Sequence, residues 1–199
     1  VRMLGDALDV PTSMSELLRL AYDALSAHAV EVGIGASTQL YSQGSMRLGT
    51  LVRPVRDGAD YDVDMVVERA IQRTSTTQEG LKLQVGEFLE SFLPSEHARQ
   101  LEASFELTAG ARCWTLTSRT LGFHIDVLPA ISGELQHDHG IWIADRDLFH
   151  WLESNPRGYA EWFEDRAAPA LAEERMRLAK ARNVSVESIP EDEVRTPLH

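Results

Sequence analysis

The sequence predicts a mixed α/β (α+β) domain, with a small mixed or antiparallel sheet flanked by helices and one long helix near the N-terminus. Three observations carry this expectation. Apolar residues recur at helical spacing over about twenty residues near the start of the chain. Several later segments alternate with period two, or run apolar between turn residues. The elements follow one another as helix, strand, turn, strand, helix and then several strands, which is not a series of repeated βαβ units. The 199 residues, 43% apolar and 25% charged, are enough for one substantial domain with its own core.

Each element has a local reason. In "PTSMSELLRLAYDALSAHAVEV", Leu17, Leu18, Ala21, Leu25 and Ala29 fall on one helical face, and Thr12 and Ser13 are cap-type residues, so a helix is expected from about Ser13 to Val32. "QLYSQGS" reads as a short strand entering a turn, "MRLGT" as a short helix or tight loop, and "DYDVDMVVE" as a strand. "TQEGLKLQVGEFLESFLP" is an amphipathic helix ended by Pro94, and "SEHARQL" adds a further turn of helix. "SFELTA", "ARCWTLT" and "GFHIDVLPA" are strand candidates, with Gly110 and Gly122 at turns. "IWIA" is a short strand, "RDLFHWLESNPRGYAEWFEDR" reads as two short helices broken at Asn155-Pro156, and "PALAEERMRLAKARN" as a separate charged helix.

Charge and cysteine content narrow the function classes. A net charge of −12 argues against broad, sequence-independent binding to duplex nucleic acid. It leaves room for nucleotides, since a small phosphate site needs only a few local donors. Lys82 and Lys180 are the only lysines, so the positive charge is nearly all arginine. No apolar run approaches the ~18 residues of a membrane span, and no signal peptide is visible. The single cysteine, Cys113, excludes an internal disulfide framework, reads as a buried packing residue, and fits a reducing cytoplasm.

The chemistry concentrates in "QGSMRLGTLVRPVRDGADYDVDMVVE", residues 43–68. Residues i and i+2 of a strand share a face, so Asp62 and Asp64 project together while Val63, Met65 and Val67 face the other way. "FHIDVLPA" places Asp126 in the same kind of setting, between Ile125 and Val127. If the two strands are neighbours, three carboxylates converge and need a counter-charge. Hard divalent cations with oxygen ligands supply one, and Mg²⁺ is the usual choice where phosphates complete its shell. Two such ions about 4 Å apart can activate an attacking hydroxyl and stabilise leaving pyrophosphate. Upstream, Gly44 lets backbone approach a ligand and Ser45 offers a hydroxyl and an N–H. Gly44 and Gly49 have P-loop separation, but Thr50 stands where the lysine belongs, which rejects a P-loop NTPase.

Gly-Ser, a gap, Asp-x-Asp and a distant Asp on another strand resemble the DNA polymerase β-like nucleotidyltransferase superfamily. The blocks "QGSMRLGTLVRPV", "YDVDMVVE", "FHIDVLPAI" and "SNPRGYAEWFEDR" in that order resemble, more narrowly, the bacterial cGAS/DncV-like nucleotidyltransferases (CD-NTases) of CBASS anti-phage systems, from about residue 13 onward. The resemblance implies a polymerase β-like fold. It implies that Gly44 and Ser45 hold the triphosphate, and that Asp62, Asp64 and Asp126 ligate two Mg²⁺ ions (or Mn²⁺), with Asp126 near the attacking hydroxyl. It also implies NTP substrates (ATP, GTP, UTP or CTP), a cyclic di- or trinucleotide product, and CBASS regulatory or ancillary proteins as partners. The family continues into a C-terminal helical domain. Residues 1–199 are therefore expected to be a catalytic core truncated before that domain, binding NTP weakly and turning over little.

Two rival functions stand beside this one: a nucleotidyltransferase acting on an antibiotic, a tRNA end or a protein, and a nucleotide-binding sensor without turnover. Other features read as structural. Arg47, Arg53 and Arg56 are expected to be surface or structural arginines more than phosphate contacts. His137 and His139 lack further metal ligands at matching spacing and read as a solvated loop. Trp151, Tyr159, Trp162 and Phe163 recur at helical spacing and are expected in the core. "EERMRLAKAR" reads as a solvated helix face.

Overall fold

A long helix lies across one face of a mixed sheet in this computed structural model, which describes residues 8–34, 37–56, 58–133, 138–147, 150–189 and 194. Helix α1 spans Thr12–Val32 and is preceded by Pro11, which has no side-chain cap bond, so neither Thr12 nor Ser13 caps it. It is followed by β1 (Thr38–Gln43), the short helix α2 (Gly44–Leu48) and β2 (Tyr61–Arg69). Helix α3 (Gln78–Phe92) starts at Thr77, whose hydroxyl accepts from Gly80 N–H at 3.0 Å, and ends two residues before Pro94. Helix α4 (Glu96–Arg99) is capped by Ser95. Strands β3 (Glu106–Ala109), β4 (Trp114–Ser118), β5 (Phe123–Ser132), β6 (Ile141–Ile143) and β7 (Leu152–Ser154) complete the sheet before helix α5 (Pro156–Arg182).

The order is β1-β2-β5-β4-β3, with β6 on β5 and β7 on β6. All these pairs are antiparallel except β2–β5, which runs parallel over nine residue pairs. The expected mixed sheet is present, and the seven strands among the described residues make it larger than anticipated. The register sets two faces. Val63, Met65 and Val67 of β2 and Phe123, Ile125 and Val127 of β5 pack with Leu18, Ala21, Leu25 and Ala29 of α1 and Val85, Phe88, Leu89 and Phe92 of α3. This is the main core. A methyl group at Gly86 would lie 2.8 Å from Trp114 Cε2, so the glycine lets α3 sit directly on the indole.

The other face carries Asp62, Asp64, Val66 and Glu68 of β2 and His124, Asp126 and Leu128 of β5. Farther along it, Val66, Leu128, Ala130, Ile141 and Ile143 form a second apolar cluster, with Tyr41, Cys113 and Leu152 against it. Cys113 is therefore a packing residue, and burial together with the nearby Asp126 and Asp64 charges pushes its thiol up to about 11.

Four expectations need correction. Residues 152–154 form a strand, because β6 offers them a pairing edge. Asn155-Pro156 begins a helix rather than breaking one: the Asn155 side chain accepts from Gly158 N–H at 2.8 Å and Pro156 takes the first turn, where its missing N–H costs nothing. Helix α5 then continues through Pro169 as one 27-residue element, carried by the Ala-, Glu- and Arg-rich sequence on either side. Tyr159 and Trp162 are 54% and 50% exposed, so their helical spacing does not mark a core face. His137 lies outside the described residues; His139 faces Glu161 at 3.5 Å.

Candidate active site

Asp64 and Asp126 are level with each other in the parallel β2–β5 register, and Asp62 is level with His124. The three carboxylates come together so that one oxygen from each lies within 4.8 Å of the others. Asp62 is exposed, with 61% of its side chain open to solvent, and Asp64 and Asp126 are half-buried. His124 Nε2 lies 3.2 Å from Asp62 Oδ1. Thr115, opposite Asp126 on β4, donates its hydroxyl to Asp126 Oδ1 at 2.6 Å and fixes that carboxylate's orientation. Neither His124 nor Thr115 was singled out in the sequence. Their signal is positional, since each is a strand neighbour of a carboxylate once the register is known.

Electrostatics describe a site short of positive charge. Burial pushes the Asp64 carboxyl above the usual carboxylate range, and the Asp62 and Asp126 charges push it further, with His124 pulling the other way. The set offers only oxygen atoms from carboxylates, the donor chemistry of a hard divalent cation. These residues could hold a metal ion.

Gly44 sits against this cluster. It has φ +61°, and a methyl group there would enter the van der Waals shell of Asp64 Oδ2 and lie 3.0 Å from Asp64 Cγ. Gln43, just before it, is level with Asp64 across β1–β2. The Gly-Ser turn and the carboxylates, apart in sequence, are thus one site. Ser45 occupies the first turn of α2, half-buried, and its carbonyl accepts from Thr50 N–H at 2.9 Å.

A cleft of about 390 Å³ opens over this site. It is lined by Gln43, Gly44, Arg47, Leu48 and Asp64 on one side and by Ser154, Asn155, Pro156, Tyr159 and Ala160 on the other. That is within the usual range for a small-molecule pocket. Its second wall, the start of α5, was not legible as part of the site. Arg47 pairs with Glu164 of α5, so it acts as a strut across the cleft wall rather than as a free cation. The wall is also tied to the sheet by Arg157, which donates to Gln39 Oε1 at 2.5 Å and stacks over the Tyr41 ring at 3.9 Å. The same guanidinium lies 3.7 Å from Glu68, a buried carboxylate that accepts from Tyr41 Oη at 2.9 Å and Ser132 Oγ at 2.7 Å. Burial and the Glu68 charge raise the Tyr41 phenol, which therefore stays protonated as a donor.

Comparison with known proteins agrees with this geometry. Residues 38–130 match the family model described as cyclic GMP-AMP synthase DncV-like, nucleotidyltransferase domain. A c-di-GMP synthase of Roseivirga ehrenbergii is 27% identical over 165 residues, covering 81% of this chain and 41% of that protein. Among solved structures, the fold resembles the Bradyrhizobium diazoefficiens CD-NTase CdnG in complex with GTP, with TM-score 0.67 and 20% identity over 94% of this chain and 54% of that one. It also resembles E. coli MS115-1 CdnC in its complex with HORMA-deltaN, with TM-score 0.57 and 19% identity over 91% of this chain and 56% of that one. The chain thus spans about half the length of these relatives. The matched stretch contains the Gly-Ser turn and all three clustered carboxylates, so the part of this chain that resembles the DncV-like nucleotidyltransferase domain is the part that builds the site.

Proposed function

We propose that this chain is the catalytic core, residues 1–199, of a Mg²⁺-dependent synthase that joins NTPs into a cyclic di- or trinucleotide signal in anti-phage defence. The observation that carries the proposal is the convergence of Asp62, Asp64 and Asp126 within 4.8 Å, beside the Gly44 backbone and under a cleft of nucleotide-pocket size. The three carboxylates would hold the metal, which supplies charge neutralisation for the triphosphate and makes a hydroxyl easier to deprotonate. The rest of the work falls to protein groups. Gly44 leaves room for a phosphate beside Asp64, and Ser45 donates its hydroxyl and N–H to the triphosphate. Thr115 keeps Asp126 turned toward the position of the attacking ribose hydroxyl. The α5 wall, held by Arg157 and Glu68, limits water on the open side. A 3′ or 2′ hydroxyl attacks an α-phosphorus, the bond to pyrophosphate breaks, and a second such transfer closes the ring.

The GTP bound by the CdnG relative and the name of the c-di-GMP synthase support purine NTPs as substrates. The HORMA complex of CdnC supports a protein partner. The test is incubation of the purified chain with Mg²⁺ and the four NTPs, with products identified by mass spectrometry and Asp64→Asn as control. Cyclic product is expected from the wild-type sequence carried within its full-length protein, little from residues 1–199 alone, and none from the substituted protein. Transfer of a nucleotide to an added acceptor, without cyclic product, would move the assignment to the rival transferase class.

A further inference from the structure

We propose that His28, Glu31 and His97 form a zinc site that clips helix α4 to helix α1, on the side of the sheet opposite the carboxylate site. The three side chains bring one ligand atom each within 4.8 Å of the others. His28 and Glu31 are one turn apart on α1, and His97 comes from α4, which packs against α1.

The ring of His28 carries the inference. It is 4% exposed, stacked on Phe88 and edge-on to Phe92. Its Nε2 lies 2.8 Å from Ser91 Oγ. The Ser91 hydroxyl proton is already given to Phe88 O at 2.7 Å, so Ser91 accepts and His28 Nε2 is the N–H. In the neutral ring Nδ1 is then a bare lone pair, and it has no hydrogen-bond partner among the described residues. Burial and the neighbouring His97 lower the tendency of this imidazole to take a second proton. The lone pair nevertheless faces a carboxylate, Glu31 Oε2, at 4.0 Å. Two electron-rich atoms at that distance, too long for a hydrogen bond, are the arrangement a cation between them resolves.

His97 Nε2 lies 2.9 Å from the same Glu31 oxygen and completes a His₂Glu set. Imidazole and carboxylate donors suit Zn²⁺, with three protein ligands and a water in the fourth position. The Nε2–H of His28 held by Ser91 is the outer-shell contact that metal-bound histidines use to fix their tautomer. Tetrahedral coordination asks for ligand atoms about 3.4 Å apart. Glu31 is 67% exposed and free to swing into that position.

Metal titration separates this site from the carboxylate cluster. Zn²⁺ alone, and Co²⁺ alone as an optical reporter, are titrated into the wild-type chain, into Glu31→Gln and His97→Gln, and into a triple Asp62→Asn, Asp64→Asn, Asp126→Asn variant. The two single variants alter surface-accessible side chains, so folding checked by circular dichroism is retained. One equivalent of Zn²⁺ is expected for the triple variant, and at least one for wild type, whose carboxylate cluster also takes a divalent ion. Tetrahedral Co²⁺ bands should accompany it, with a rise of roughly 5–10 °C in Tm when zinc is at a hundredfold its Kd. Both single variants should lose the tetrahedral bands, and combined with the triple variant they should lose the zinc-dependent Tm rise as well. Zinc binding that disappears in the triple variant and survives in Glu31→Gln and His97→Gln would overturn the site and leave the synthase proposal standing. Absence of any tetrahedral Co²⁺ band or zinc-dependent Tm change in the triple variant overturns it equally.

Discussion

Asp64→Asn should make the metal-free protein more stable and catalytically dead. The acidic oxygens lie within 4.8 Å of one another. At that separation each like-charge pair costs about 3.5 kcal/mol at an effective dielectric of 20, and about 0.9 kcal/mol in water. Asp62 is exposed, so its share lies near the lower figure; Asp126 is half-buried and contributes more. After the attraction of His124 and solvent screening are discounted, removing the Asp64 charge should stabilise the metal-free fold by about 1–3 kcal/mol. For a domain of this size that is a rise in Tm of roughly 3–10 °C. The effect has a defined pH dependence. The folded-state pKa of Asp64 is raised above its unfolded value. Its protonated form is therefore favoured by folding, and that contribution is present below the ordinary carboxylate range and lost as pH rises through the elevated value. The stability difference between the substituted protein and wild type should accordingly be small near pH 4 and grow toward pH 8. Mg²⁺ or Mn²⁺ should then raise the wild-type Tm at pH 8 and leave the variant almost unmoved. Thermal unfolding across pH 4–8, with and without metal, measures all of this. A variant less stable than wild type at pH 8, or a stability difference independent of pH, would refute the crowded-carboxylate account.

Gly44→Ala forces a side chain into φ +61° and into the Asp64 carboxylate. A loss of about 1–2 kcal/mol in denaturant unfolding, with a larger proportional loss of Mn²⁺ affinity by calorimetry, is expected; wild-type values for both would exclude the contact. Ser45→Ala should weaken NTP binding ten- to a hundredfold, the worth of about 1.5–3 kcal/mol for a bond to a charged acceptor. Asp126→Asn should keep most of the binding and lose turnover, so nucleotide affinity and product formation measured side by side must separate the two variants. Glu68→Ala leaves the Tyr41 and Ser132 hydroxyls without their acceptor and frees Arg157 at the base of α5. It should cost about 2–4 kcal/mol of unfolding free energy, with Glu68→Gln milder because the amide oxygen still accepts; equal losses for the two would argue against the hydrogen-bond network.

Local physics was legible in the sequence wherever the information is local. The period-two alternation around Asp62 and Asp64 placed both carboxylates on one face, because successive strand residues point oppositely whatever lies beyond them. The apolar spacing of Leu18, Ala21, Leu25 and Ala29 located α1 within a residue of its observed start and marked the face it buries. The ordered blocks from Gly-Ser to "FHIDVLPAI" pointed to the same family whose model matches residues 38–130.

Tertiary structure decided what depends on neighbours. That Asp126 stands level with Asp64 follows from the parallel β2–β5 pairing, which no local pattern encodes. The Leu152–Ser154 segment became a strand because β6 presented an open edge, and its helical appearance had nothing to pack against. Tyr159 and Trp162 kept their helical spacing yet stayed half in solvent, since periodicity states which residues share a face and not whether another element covers it. His28 and His97, far apart in sequence, come together only because α4 folds back on α1. A residue's face is set by its own backbone. Its partners, its burial and its charge state are set by whichever chain segments the whole fold brings against it.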